Sequence, residues 1–168
     1  GYDGELVDVA AAHHAGIVCT HTGGAVPRTR PHRVEYDDVV GSVVDFLAQE
    51  AARAEAAGIP PERILIDPGH DFGKNTRHSL AVTRGLDRLV ATGRPVLVSL
   101  SNKDFVGETL DAPVGERLTG TMAATAVSSW LGAQVFRVHE VRETREVLAM
   151  VQAIEGTRPP AVARRGLA

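Results

Sequence analysis

Four apolar runs punctuate the chain at wide intervals: Ile17-Val18-Cys19, Ile64-Leu65-Ile66, Val96-Leu97-Val98 and Val135-Phe136. They do not alternate apolar with polar residues, so each reads as a short buried strand. The predicted strands are Ile17 to Thr20, Ile64 to Ile66, Val96 to Val98 and Val135 to Val138. For Ile64 to Ile66 the unalternating apolar run, with two β-branched isoleucines, predicts cover on both faces. Between the strands, apolar residues recur at helical spacing. Leu6 to Ala15 predicts a short helix. Val40, Val43, Val44, Leu47, Ala51 and Ala54 line one helical face, with Asp37 or Asp38 as the cap. Gly58 and Pro60-Pro61 end that helix. Ser79 to Ala91, Glu116 to Leu131 and Val141 to Ile154 complete the helices, the first two closed by Gly93 and Gly132. Ala25 to Glu35, with its prolines and arginines, and Asp104 to Gly115 read as long loops, which in compact domains often carry function.

Strands about 30 to 45 residues apart with a helix in each gap argue for a parallel sheet with right-handed crossovers. A doubly wound open sheet and part of a (β/α)8 barrel both satisfy this pattern. Both gather functional residues at the carboxyl ends of the strands.

The 168 residues suffice for one domain with a real core. A net charge of −3 gives no reason to expect nucleic acid or an anionic membrane as partner. No apolar run is long enough to span a bilayer, and no signal peptide is visible at Gly1. Cys19 is alone in an apolar run and reads as an inert core thiol, so a reducing, cytoplasmic compartment is expected.

Charge changes the picture at the strand ends. The chain has only two lysines, Lys74 and Lys103, and both lie in polar clusters that close an apolar run. These clusters are Asp67-Pro68-Gly69-His70-Asp71-Phe72-Gly73-Lys74, Ser99-Leu100-Ser101-Asn102-Lys103 and Arg137-Val138-His139-Glu140. Asp67, at the end of a buried strand, either accepts two parallel N–H donors, as from an amino-pyrimidinone edge, or caps the following turn. Lys103 and Arg137 suit a ring carbonyl and a phosphate; the alternatives are a solvated lysine and an arginine paired with Glu140 or Glu143. His139, two residues after Arg137, points to the same side of a strand and would add a proton source, or it is structural. Lys74 opens a helical region and reads first as a solvated surface lysine. Together the groups suit a ligand with a hydrogen-bonding ring and an anionic group.

Other chemistries are excluded or weak. Gly69 to Lys74 is one residue short of a P-loop, with Asn75 where Ser or Thr is required. His139-Glu140 lacks the second histidine of a zinc protease. Gly-X-Ser-X-Gly is absent, and His13-His14 sit on a predicted helix that offers them no metal-ligand pattern with acidic or thiol partners.

In order along the chain, several stretches are specific as a set. They are His21 with Gly24, Asp67-Pro68-Gly69 with Phe72-Gly73-Lys74-Asn75, and Ser101-Asn102-Lys103 before Val106-Gly107. Glu116-Arg117-Leu118 with Gly120-Thr121, and Gly132-Ala133 with Arg137-Val138-His139, follow. With them the chain resembles the dihydropteroate synthase family over about Gly16 to Ile154. The resemblance implies a (β/α)8 TIM-barrel of which this chain supplies strands five to eight and their helices. Residues 1–156 would form the C-terminal part of that domain, with 157–168 as a flexible tail. It implies condensation of a pterin pyrophosphate with p-aminobenzoate, releasing pyrophosphate in folate biosynthesis. By position, Asp67 looks like the carboxylate that holds the pterin edge and Lys103 like the pterin-contacting lysine. Ser101 is similar to the residue near the benzoate carboxylate, and Phe72 to an aromatic wall. Arg137 and His139 look like the stacking and pyrophosphate-binding pair, so Lys103, Arg137 and His139 are the expected catalytic residues. The family's Mg²⁺-associated asparagine lies in the half not present here. The family's homodimer, through late helices, would use Glu116 to Leu131 and Val141 to Ile154.

Departures accompany the likeness. Ser99 stands where the family usually has glycine, Asn102 where it has arginine, and His70-Asp71 where it has a hydrophobic residue and glycine. The pattern resembles the divergent second copy that some bacteria carry beside a true synthase. Three readings follow: a synthase, a non-catalytic pterin-binding homologue, and a pterin-dependent methyltransferase. The Ser-X-Lys and Arg-X-His signatures favour the synthase side over the last. The isolated chain is expected not to catalyse, because stabilising a departing pyrophosphate needs groups from both halves.

Overall fold

The computed structural model describes residues 4–24 and 35–166. In chain order the elements are α1 (Leu6–Ala12), β1 (Ile17–Thr20), α2 (Val39–Ala56), β2 (Ile64–Asp67), α3 (Thr76–Arg84), α4 (Leu86–Val90) and β3 (Leu97–Val98). Next come α5 (Asp104–Leu110), α6 (Leu118–Trp130), β4 (Val135–Phe136) and α7 (Val141–Glu155). β1 pairs in parallel with β2, and β3 with β4. A parallel bridge between Ile66 and Val96 joins the two ladders. The spatial order β1-β2-β3-β4 therefore follows the chain order. A doubly wound sheet reverses direction at a switch point; this sheet does not, and it turns one way as a barrel wall does.

The helices cover one face of the sheet. α2 packs on β1 and β2, and its Val43, Leu47, Ala51 and Ala54 meet the buried Cys19, Ile64, Ile66, Val96 and Val98. Asp38 caps it, its carboxylate accepting from the Gly41 N–H at 2.9 Å. The expectation that β2 is covered on both faces is met only in part, with Ile64 and Ile66 buried and Leu65 half-buried. Register places Val18 beside Leu65 on the opposite face; Val18 is 44% exposed and Leu65 and Leu97 are half-buried. An apolar face without helices is what an open segment of barrel wall presents toward the barrel axis.

Four further expectations are corrected. The helix predicted over Ser79 to Ala91 starts earlier, where Asn75 and His78 form a capping box, and breaks at Gly85 into α3 and α4. The loop predicted from Asp104 to Gly115 contains α5, whose Phe105 and Val106 are buried. Its cap comes from Asp71, far away in sequence. α1 stops at Ala12 and β4 at Phe136. The predicted loop from Ala25 to Glu35 falls, up to residue 34, outside the described residues. α7 ends at a left-handed Gly156, and residues 157–166 are exposed.

Candidate functional site

Because the four strands are parallel, their carboxyl ends share one edge. There the register sets Thr20 beside Asp67, and the Arg137 N–H continues the β3–β4 ladder to the Val98 carbonyl at 3.0 Å.

Asp67 is 8% exposed. One carboxylate oxygen accepts from the Gly69 N–H at 2.8 Å, and the register sets Thr20 beside Asp67. Burial pushes the carboxyl above its ordinary value, opposed first by the Gly69 N–H and then by the Lys103 and Lys74 charges. Capping and ligand-holding are thus not exclusive: one oxygen closes the turn, and the carboxylate sits in a dry site among cations. The turn needs a glycine. Gly69 has φ +64°, and a Cβ there would strike the His21 carbonyl oxygen.

Lys74 is not a solvated lysine. It is 9% exposed, and its amine meets His21 Nδ1 at 2.8 Å and donates to the carbonyls of Gly69 and Phe72 at 3.1 Å and of His21 at 3.2 Å. It staples the end of β1 to the turn after β2. Burial pulls the amine down to about 7, against the carboxylates of Asp67 and Asp71. Burial, with the Lys74 charge, pulls His21 down to about 4, so its ring is neutral and free to accept. Tyr36 pins the same loop by donating to the Gly73 carbonyl at 3.0 Å.

His70 has turned inward. It is 1% exposed, stacked on Phe105 with ring centres 5.5 Å apart, and its Nε2 lies 2.9 Å from the Thr83 hydroxyl. Burial, then the charges of Lys74 and Lys103, lowers it to about 3, and its buried Nδ1 has no partner.

Lys103 extends over the Phe72 ring, 4.2 Å from the centroid, and donates to the His70 carbonyl at 2.8 Å. Burial lowers its ammonium; Asp71 and then Asp67 oppose this, and Arg137 adds to it. Arg137 donates to the Ser99 hydroxyl at 3.2 Å, and the His139 N–H donates to the Ser101 hydroxyl at 3.1 Å. The Asn102 amide reaches Glu140 at 3.4 Å.

The fold therefore brings Asp67, Phe72, Lys103 and Arg137 to one edge, with Ser101 alongside. Among the described residues no hydrogen bond joins the Arg137 and His139 side chains; both residues lie beyond the end of β4, at the surface. Sequence reasoning gave no role to Arg117. It is buried, and its guanidinium binds the carbonyls of Asn102 at 2.9 Å and Ala112 at 3.1 Å and the Asp104 carboxylate at 2.9 Å, setting the turn that carries Lys103. Its signal was a lone arginine at the head of an apolar helix. A cavity of about 470 Å³ lies elsewhere, on the helix side among Leu80, Phe105, Val106 and Ala124. Among the described residues no group of three or more His, Cys, Asp or Glu side chains is placed to hold a metal ion. No described helix is long and apolar enough to cross a membrane.

A family model described as pterin binding enzyme matches residues 1–139. The chain belongs to this family. It is 56% identical, over 172 aligned positions, to the protein named "Inactive dihydropteroate synthase 2" of Mycobacterium leprae (strain TN), spanning 100% of this chain and 59% of that one. It is 36% identical over 144 positions to the dihydropteroate synthase of Escherichia coli (strain K12), spanning 86% of this chain and 51% of that one. The crystal structure of the Thermus thermophilus synthase in complex with 6HMPPP superposes with a TM-score of 0.81 at 38% identity, over 90% of this chain and 58% of that one. Another structure of that synthase holds 4-aminobenzoate. The α/β fold is thus that of the dihydropteroate synthases, and the chain spans a little over half the length of these relatives.

Proposed function

We propose that the strand-end edge binds a dihydropterin and that the protein is a dihydropteroate synthase-like pterin binder. The observation that carries this is the buried Asp67 carboxylate, with Lys103 and Arg137 acting on the same edge. Asp67 would accept the ring's amino and N–H donors. Lys103 would donate to the ring carbonyl, and the Phe72 face would wall the pocket. Arg137 and His139 would meet the pyrophosphate, and Ser101 would lie near the benzoate carboxylate. In the synthase reaction the p-aminobenzoate nitrogen bonds to the pterin methylene carbon. The carbon–oxygen bond breaks, pyrophosphate leaves with its electron pair, and the nitrogen gives up a proton.

The identity pattern favours binding without turnover, since the chain is 56% identical to a protein named inactive and 36% identical to a named synthase. One contact and one residue identity support this. Ser99 engages one Arg137 donor, and Asn102 brings no positive charge beside the benzoate site. In this reading residues 1–156 supply strands five to eight of the barrel, ahead of a tail at 157–168. The preceding half supplies the other pterin contacts and the Mg²⁺ ligand. A homodimer would form through α6 and α7, which expose Val127, Trp130, Met150 and Ile154. The buried, unreactive Cys19 fits a reducing cytoplasm.

The test uses the complete protein. Calorimetry with 6-hydroxymethyl-7,8-dihydropterin pyrophosphate should show saturable binding. Chromatography after adding p-aminobenzoate and Mg²⁺ should show no dihydropteroate. Product formation would establish the synthase instead, and absence of binding would remove both readings.

A further inference from the structure

We propose that Asp71 is the positioning residue for Lys103: its carboxylate caps α5 from across the fold and so fixes where the Lys103 amine stands. The proposal rests on the pterin-pocket reading for its consequence, though not for its geometry.

α5 begins immediately after Lys103, which occupies the capping position. An ammonium has no lone pair to offer the helix's first N–H groups, and Lys103 makes no side-chain cap. The acceptor comes instead from a residue 33 positions earlier than Asp104. One Asp71 oxygen accepts from the Asp104 N–H at 2.7 Å and the Phe105 N–H at 3.3 Å. Its other oxygen accepts from the Ser79 hydroxyl at 3.0 Å, and that hydroxyl accepts from the Asp71 N–H at 3.1 Å. Ser79 lies fully buried in α3. Asp71 is therefore anchored on α3 and grips α5.

Its neighbours complete the hold. The His70 ring stacks on Phe105, the first buried residue of α5, while the His70 carbonyl and the Phe72 ring take the Lys103 amine. Three consecutive residues thus fix one lysine through the helix that follows it and through its amine. Asp71 achieves this at φ +65°, a left-handed conformation that favours glycine and that aspartate tolerates better than most side chains. A negative charge at the start of α5 also complements the helix dipole. The Asp71 carboxylate is the foremost charge sustaining the Lys103 ammonium against burial.

Two variants separate the cap from the backbone. D71G keeps the left-handed turn without strain and deletes only the carboxylate. D71N keeps an acceptor oxygen at the helix start and removes the charge. In the complete protein carrying ¹³Cε-lysine, the Lys103 signal is assigned by its loss in K103R. Its ring-current shift from Phe72 reports the position of the amine, with F72L as control. D71N should retain that shift and bind 6-hydroxymethyl-7,8-dihydropterin pyrophosphate within about threefold of the parent. D71G should lose the shift and bind about tenfold more weakly.

An unchanged shift in D71G overturns the proposal, as does unchanged affinity where the parent binds. D71N behaving like D71G assigns the effect to charge rather than to the cap and also overturns it. If the parent binds no dihydropterin pyrophosphate, the pocket reading fails, while the Lys103 shift in D71G still decides the positioning role.

Discussion

The guanidinium of Arg117 occupies the space that a Cβ on Gly107 would need. Through that gap it reaches the Asn102 carbonyl and the Asp104 carboxylate, so a missing side chain in α5 is what lets a cation brace the turn before it. Substituting G107A should push Arg117 off those acceptors. The expected cost is about 1 to 3 kcal/mol, from overpacking and from lost hydrogen bonds to a buried charged group. Urea denaturation measures it. Parent-like stability would mean that Arg117 has another path.

His70 and His21 make stability pH-dependent. Both are depressed from 6.5, to about 3 and about 4, because burial disfavours their charged forms. The unfolded chain therefore takes up protons first as pH falls. Their contribution is complete above pH 6.5 and is lost as pH drops through 4 and then 3. Each should contribute a slope approaching about 1.4 kcal/mol per pH unit within its window. H70L removes one of these terms and the unpartnered Nδ1. Its unfolding free energy should fall less steeply as pH drops from about 6 to 4, by up to about 1.4 kcal/mol per pH unit. Equal slopes in H70L and parent would show that His70 does not titrate as its burial requires.

Lys74 is expected to be worth more to the fold than any exposed lysine. K74M leaves four buried or half-buried acceptors on His21, Gly69 and Phe72 without their donor. A loss of about 2 to 3 kcal/mol in denaturant unfolding is predicted. A change within about 0.5 kcal/mol, the range typical of surface substitutions, would contradict the stapling role.

Ser99 is predicted to restrain Arg137. Removing the hydroxyl in S99G frees a guanidinium donor for an anion. Affinity for the dihydropterin pyrophosphate should rise by about threefold to tenfold, with little change for the dihydropterin lacking pyrophosphate. Calorimetry with both ligands tests this. Equal effects on the two would place the change at the ring instead.

Much of this was legible in the sequence, because the strands and the capped α2 are built from local patterns. Ile17 to Thr20 and the strand-end placement of Asp67, Lys103 and Arg137 needed only hydrophobic runs and their polar closures. α5 was not legible. Asp104 to Leu110 is short and its acceptor is Asp71, so no local window contains its cap. Lys74 was misread for a related reason. Its four acceptors lie on loops from two strands, and only their approach in three dimensions turns a helix-start lysine into a buried staple. Arg117 likewise becomes intelligible only beside Gly107.

The pocket itself is tested most directly by titrating the complete protein and its D67N variant with 6-hydroxymethyl-7,8-dihydropterin pyrophosphate in a calorimeter. Asparagine keeps an oxygen for the Gly69 N–H, so the fold should persist. It replaces the second acceptor with a donor facing the ligand's own donors. Binding by the parent and a loss of about a hundredfold or more in D67N is the predicted result. Equal affinity in the two proteins would contradict the assignment of Asp67, and with it the pocket.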